Sequence, residues 1–242
     1  MKILIVIPAR YKSSRLPGKP LKKIKNKELI LWVLEVCKKI INSNIKVIVA
    51  TDNNKIHRFV KKKNFNSIIT SSKCLTGTDR VAHVAKKIKS DIYINVQGDE
   101  PLIKPFDIIK VIKEKKKNPN KIICGYSSLN KKENQDNKNI PKVVLNLKKE
   151  LIYISRSTIP SNKKNNKVKN NFFKQVCIYA FNKKELNLFS SRKKTPLEKI
   201  EDIEILRFIE LGRPVKMVKL SQNSYAVDTL EDIKKIEKIF KK

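Results

Sequence analysis

Residues 3–7 read Ile-Leu-Ile-Val-Ile, five consecutive apolar positions with no polar face. A strand of this kind is buried on both sides, as in a sheet covered above and below by helices. IKVIVA at 45–50 is a second strand-like run, and DIYINV at 91–96 reads as another short buried strand. Between these runs the apolar spacing changes to a helical period. Leu29, Val33, Val36, Cys37 and Ile40 share one face, then Ile56, Phe59 and Val60 behind an Asp52 or Asn53 cap. Val81, Val84, Ala85 and Ile88 mark a third helix over about 78–88. The alternation predicts an α/β domain with a largely parallel sheet.

The middle of the chain changes character. Residues 121–128, 142–147, 151–155 and 172–181 read as strands with little helix between them, which predicts an antiparallel extension over roughly 125–180 within a single domain, 1–242. The polar stretches 130–139 and 161–171 are expected to be exposed. Helices are expected at 184–191 and 198–211, a strand at 215–220, and a last helix from 229. Glu231 and Asp232 near its start and Lys241-Lys242 at its end suit the helix dipole.

Composition narrows the setting. The 242 residues carry 56 Lys and Arg against 22 Asp and Glu, a net charge of +34. Such an excess raises nucleic acid or an anionic membrane as partners. However, 48 of the basic residues are Lys and only 8 are Arg, the Lys are scattered, and the longest basic runs are triplets. A solvated Lys-rich surface that binds polyanions weakly and salt-sensitively is the simpler reading, with no specific nucleic-acid partner. No apolar run approaches the roughly 20 residues of a membrane span, and no signal-peptide pattern opens the chain. Cys37, Cys74, Cys124 and Cys177 show neither zinc nor disulfide spacing. The cytoplasm is the expected compartment, without membrane insertion.

Three segments could carry chemistry. The loop Pro8–Pro20 follows the first strand and precedes a helix, the place where open parallel sheets bind ligands. Arg10, Arg15 and Lys19 are three spaced cations in a loop stiffened by prolines, suited to clamping a triphosphate. The alternative is an ordinary basic surface loop; it is not a Walker A loop, because Pro20 follows Gly18-Lys19. Asn95–Pro101 ends another buried strand, and it supplies Gln97 for a base edge and Asp99 for Mg²⁺. Asp228 precedes the last helix, either as a second Mg²⁺ carboxylate or as a helix cap shared with Thr229. Weaker candidates are the helix start at Thr76–Arg80 and the lone Arg156 at a strand end.

Taken in order, the segments IPARYKSSRLPGKPL at 7–21, ATDN at 50–53, GTDRVA at 77–82, NVQGDEPLI at 95–103, SRSTIP at 155–160, IYAF at 178–181, TPLEKIE at 195–201 and VDTLED at 227–232 resemble the 3-deoxy-manno-octulosonate (Kdo) cytidylyltransferase family. The likeness spans nearly the whole chain. It implies a Rossmann-like nucleotidyltransferase fold with a mainly parallel mixed sheet, and a homodimer formed by the central extension. The implied reaction is CTP plus Kdo giving CMP-Kdo and pyrophosphate with Mg²⁺, which activates Kdo for lipopolysaccharide synthesis. By this resemblance Arg10, Arg15 and Lys19 neutralise the triphosphate, Ala9 and Gln97 read cytosine, and Ser13, Thr78 and Arg80 complete the nucleotide site. Asp99 and Asp228 hold magnesium. Arg156, Gln175, Tyr179 and Glu204 lie where the family binds the sugar acid.

The departures from the family pattern fall mostly on the sugar side. Gln175-Val176-Cys177 stands where the family commonly has His-Leu-Gly, Ile205 where it often has Gln, and Cys74-Leu75 where polar residues are common. A relaxed or weakened Kdo site is therefore expected, with the CTP side intact. A cytidylyltransferase for another acidic sugar, such as a sialic acid, is the near alternative. A basic nucleic-acid-binding protein is the distant one.

Overall fold

The computed structural model describes all residues except Ser14, Lys131, Lys132, 162–171, Asn223, Lys241 and Lys242. The expectations for 162–171 and for Lys241-Lys242 lie outside the described residues. The strands are β1 (Ile3–Ala9), β2 (Lys23–Ile24), β3 (Lys27–Glu28), β4 (Ile45–Thr51), β5 (Ser67–Ile69), β6 (Ile92–Val96), β7 (Ile122–Ser128), β8 (Lys142–Leu145), β9 (Leu151–Ser155), β10 (Phe173–Phe181) and β11 (Val215–Lys219). The helices are α1 (Leu29–Lys38), α2 (Asn54–Lys62), α3 (Gly77–Lys87), α4 (Pro105–Lys117), α5 (Lys183–Ser190), α6 (Pro196–Glu201), α7 (Leu206–Glu210) and α8 (Leu230–Ile239).

The main sheet runs in the order β11-β7-β10-β6-β1-β4-β5. β1 is parallel to β4 and β6, β4 to β5, and β7 to β11, whereas β10 is antiparallel to both β6 and β7. The apolar run of β1 is divided by its pleat. Ile3, Ile5 and Ile7 pack with buried residues of α1, α2 and α4, while Leu4 and Val6 pack with those of α3, α5 and α7. Two helical layers thus cover the sheet, as the all-apolar strands require.

A third apolar cluster positions the site. Leu16 of the first loop, Ile24 and Leu29 pack against Val227, Ile233 and Ile236, and the Trp32 and Phe240 rings stack at 4.2 Å. The last helix is thereby docked on the first loop, which brings residues 19 and 228 together.

The structure corrects several expectations. The helix expected over 198–211 is two helices, broken at Asp202, whose φ of 48° is left-handed. Arg207 bridges the break with two 2.6 Å bonds to the Glu198 carboxylate. β10 is antiparallel as expected, but it runs through the middle of the main sheet. Among the described residues the hairpin β8–β9 lies off the main strand order, with β8 paired to β10 at Phe173 and Lys174. Helix α4 was not foreseen, although Ile108, Val111 and Ile112 carry its period and Pro105 sits at its start.

Candidate active site

β1 ends at Ala9, and the following loop is closed by a hydrogen bond from the Gly18 N–H to the Tyr11 carbonyl at 2.9 Å. Gly18 takes a left-handed φ of 67°, which starts the short turn Lys19–Leu21. That turn sends Lys19 inward. Its Nζ lies 2.5 Å from Asp99 Oδ2 and 3.1 Å from Asp228 Oδ1, and Arg15 reaches Asp228 Oδ2 at 3.1 Å. These four side chains, with exposed Arg10, line one cleft of about 1190 Å³ at the carboxyl ends of β1 and β6. Ser13 is turned into its own loop, where its hydroxyl accepts from the Leu16 N–H at 3.4 Å.

The ambiguity at Asp228 is resolved locally. Thr229 caps α8 by accepting from the Asp232 N–H, and the Asp232 carboxylate returns to the Thr229 N–H. Asp228 is left free for the cleft, and the Val227 N–H to Asp99 carbonyl bond of 2.9 Å ties its loop to that of Asp99. Burial alone would lower the pKa of Lys19, but the carboxylates of Asp99 and Asp228 outweigh it and hold the ammonium above its ordinary value. Two hard oxygen donors converging on one cation fit a small divalent ion. Among the described residues no cluster of three or more acidic, His or Cys side chains forms a complete cage. This donor set suits Mg²⁺, which takes one or two carboxylates together with substrate phosphates.

The opposite wall begins at Gln97. Its Nε2 lies 3.5 Å from Glu204 Oε1, and the Glu204 Oε2 accepts from the Thr78 N–H at 2.9 Å. Gly77 permits this approach, since a Cβ there would stand 2.9 Å from Gln97 Nε2. Burial pushes the Glu204 carboxyl up, against hydrogen bonds from Thr78 and Thr76. Thr78 itself is buried, and Arg80, 3% exposed, is held by Asp52 at 3.1 Å and Thr70 Oγ1 at 2.6 Å. Arg80 lines this wall with Thr78 buried behind it, and the polar groups of both have protein partners.

β10 forms the third wall. Its register with β7 shifts between Val176 and Tyr179, and Gln175 Nε2 donates to the Tyr179 hydroxyl at 3.1 Å. Burial raises the pKa values of both Tyr179 and Cys177 well above their ordinary values, which keeps them neutral near pH 7. Arg156 stands at the rim, where its guanidinium donates to the carbonyls of Glu201 at 2.5 Å, Lys138 at 2.9 Å and Asp202 at 3.0 Å.

The sequence profile described as cytidylyltransferase matches residues 4–237. The 3-deoxy-manno-octulosonate cytidylyltransferase of Fusobacterium nucleatum is 39% identical over 98% of this chain and 96% of its own. That of Thermodesulfovibrio yellowstonii is 38% identical over 98% of each. The chain belongs to the 3-deoxy-manno-octulosonate cytidylyltransferase family. A solved structure of CMP:2-keto-3-deoxy-manno-octonic acid synthetase complexed with CTP matches with a TM-score of 0.91 and 33% identity, covering 100% of this chain and 99% of that one.

Within this family frame, two findings go beyond the sequence reading. Ile205, counted among the sugar-side departures, is 1% exposed in the core beneath α7, so its change of side chain is one of packing. The polar stretch 130–139 is largely exposed, as expected, among its described residues, and its Asn134, Asn137 and Asn139 also line the cleft, where Arg15 Nη1 donates to Asn139 Oδ1 at 3.2 Å. Asn-rich text is common throughout this chain and carries no signal of such a placement.

Proposed function

We propose that this protein transfers CMP from CTP to the anomeric hydroxyl of Kdo, giving CMP-Kdo and pyrophosphate. The observation that carries the reading is the convergence of Arg15, Lys19, Asp99 and Asp228 at one end of a cleft whose other walls hold Gln97, Glu204 and Tyr179. The anomeric oxygen forms a bond to the α-phosphorus, the bond from that phosphorus to the pyrophosphate oxygen breaks, and the hydroxyl proton leaves to solvent. Such a transfer asks for alignment and charge neutralisation, with no protein nucleophile. Arg10, Arg15 and Lys19 neutralise the triphosphate and its departing pyrophosphate. Gln97 and the backbone at Ala9 read the cytosine edge. Arg156, Gln175, Tyr179 and Glu204 orient the sugar acid, with Gln175 fixing the direction of the Tyr179 hydroxyl.

Asp99 and Asp228 are the residues that hold Mg²⁺. Bound there, the ion supplies positive charge to the phosphate oxygens. We assign the working state to a homodimer, supported by exposed apolar side chains on the β8–β9 hairpin and beside it: Leu147, Ile152 and Ile200. No helix among the described residues is long and apolar enough to cross a membrane. We further propose that the reaction runs in the cytoplasm and supplies activated Kdo to lipopolysaccharide synthesis.

Pyrophosphate release tests the reading, with each nucleoside triphosphate offered alone, with Kdo or with a sialic acid in the presence of Mg²⁺. Release that needs both CTP and Kdo is expected. Release with the sialic acid in preference to Kdo, or none with either, would overturn it.

A further inference from the structure

Glu100 follows Asp99 directly, yet its side chain turns into the protein and is 3% exposed. Its carboxylate meets two segments that are far from it in sequence. Oε2 accepts from the Ser224 hydroxyl, and Oε1 accepts from the Cys177 backbone N–H at 3.3 Å. Ser224 lies in the connection from β11 to α8, shortly before Asp228. Cys177 lies where β10 slips register against β7, between Gln175 and Tyr179. Lys174, 4% exposed, reinforces the junction by donating to the Ser224 carbonyl at 3.0 Å and pairing with Glu133. One buried carboxylate therefore joins the loop that carries the phosphate-side acid to the strand that carries the sugar-side tyrosine. An apolar side chain of similar size would leave the Ser224 hydroxyl and the Cys177 N–H without their acceptor, and unmade bonds of buried groups are costly.

We propose that Glu100 is a positioning residue that fixes Asp228 and Tyr179 relative to each other, so that the phosphate end and the sugar end of the cleft are in register for transfer. This assignment rests on the CMP-transfer reading above. It makes the two halves of the junction separable. The Ser224 hydroxyl ties only the Asp228 loop to Glu100, whereas the Glu100 carboxylate serves both halves.

The test compares Glu100→Gln, Glu100→Leu and Ser224→Ala in the full-length protein. CTP binding is followed by calorimetry with Mg²⁺, and turnover by the KM for Kdo and kcat. A Gln carboxamide can keep its oxygen on the Cys177 N–H and donate to the Ser224 oxygen, so Glu100→Gln is expected to stay within about threefold of the parent in all three readouts. Glu100→Leu is expected to weaken CTP binding and to raise the Kdo KM, each by about tenfold or more, the range seen when supports behind a site are removed. Ser224→Ala is expected to weaken CTP binding by a similar factor and to leave the Kdo KM within about twofold. A merely structural Glu100 would lower the folded fraction without this split. The inference is overturned if Ser224→Ala moves both constants together or neither, or if Glu100→Gln is as impaired as Glu100→Leu. Should Glu100→Leu fail to fold, Ser224→Ala and Glu100→Gln decide the matter alone. If the parent bound CTP but released no pyrophosphate with Kdo, the CMP-transfer reading would fail, while the calorimetry of Ser224→Ala would still support or contradict the Asp228 half.

Discussion

Two lysines face carboxylates at opposite ends of the sheet, and they do so in opposite ways. Lys115, on α4, is 1% exposed and gives its three protons to both oxygens of Glu185 at 2.8 and 2.7 Å and to the Lys121 carbonyl at 2.7 Å. Burial pushes the pKa of Lys115 down and that of Glu185 up, while each partner pulls the other back toward its charged form. The ammonium has no donor left over. Lys19 instead faces two aspartates, each about a quarter exposed to solvent. There the carboxylates outnumber the lysine, Arg15 shares one of them, and water has access. A closed, one-to-one pair locks two helices together. An open cluster whose two carboxylates are shared between Lys19 and Arg15 and reached by solvent can trade these internal partners for phosphate, which is what a transfer site must do.

The contrast can be broken at either end. Lys115→Met leaves Glu185 buried without its counter-charge and is expected to destabilise the fold by about 3–5 kcal/mol. Urea unfolding would read this, with kcat per folded molecule unchanged. Lys19→Met should reverse the pattern. It is expected to lower kcat/KM by about 100- to 1000-fold, as for other donors to developing phosphate or oxyanion charge. The urea midpoint should move little, because partly exposed ion pairs contribute only about 0–1 kcal/mol. A variant that lost activity and stability in proportion would erase the distinction.

Gln97→Ala sharpens the nucleotide side of the open cluster. Loss of one base-edge contact is expected to cut the preference for CTP over UTP by up to about tenfold, measured as a ratio of kcat/KM values. The smallest effect concerns the Lys-rich surface. Retention on a polyanion column is expected to vanish by roughly 0.2 M salt, since scattered phosphate-type contacts are lost steeply with ionic strength. Retention that persisted and discriminated between nucleic-acid sequences would instead mark a dedicated site.

Much of this arrangement was legible in the residues themselves. The runs at 3–7, 45–50 and 91–96 each became a largely buried strand, and the ends of the first and third opened onto a shared cleft. Asp99 and Asp228 could be paired as expected cation ligands because Asp99 follows a buried strand and Asp228 follows an apolar pair just before the last helix. That Thr229 and not Asp228 caps α8 needed coordinates, since either side chain can cap a helix. The path of β10 was hidden for a different reason. A strand's apolar content reports burial but not its neighbours, so nothing local said that β10 enters between β6 and β7. Ile205 and Arg80 show the same limit for side chains: sequence position put both near the site, whereas packing and the Asp52 ion pair decide what they touch. Glu100 lay inside a recognised segment, but only the fold reveals which way its carboxylate points.

The most direct test of the assigned chemistry is ³¹P NMR of the protein with CTP, Mg²⁺ and Kdo. Attack at the α-phosphorus is expected to yield pyrophosphate and a new phosphodiester resonance in equal amounts, both absent without Kdo. Formation of CDP and inorganic phosphate, or of CMP with no Kdo phosphodiester, would contradict it.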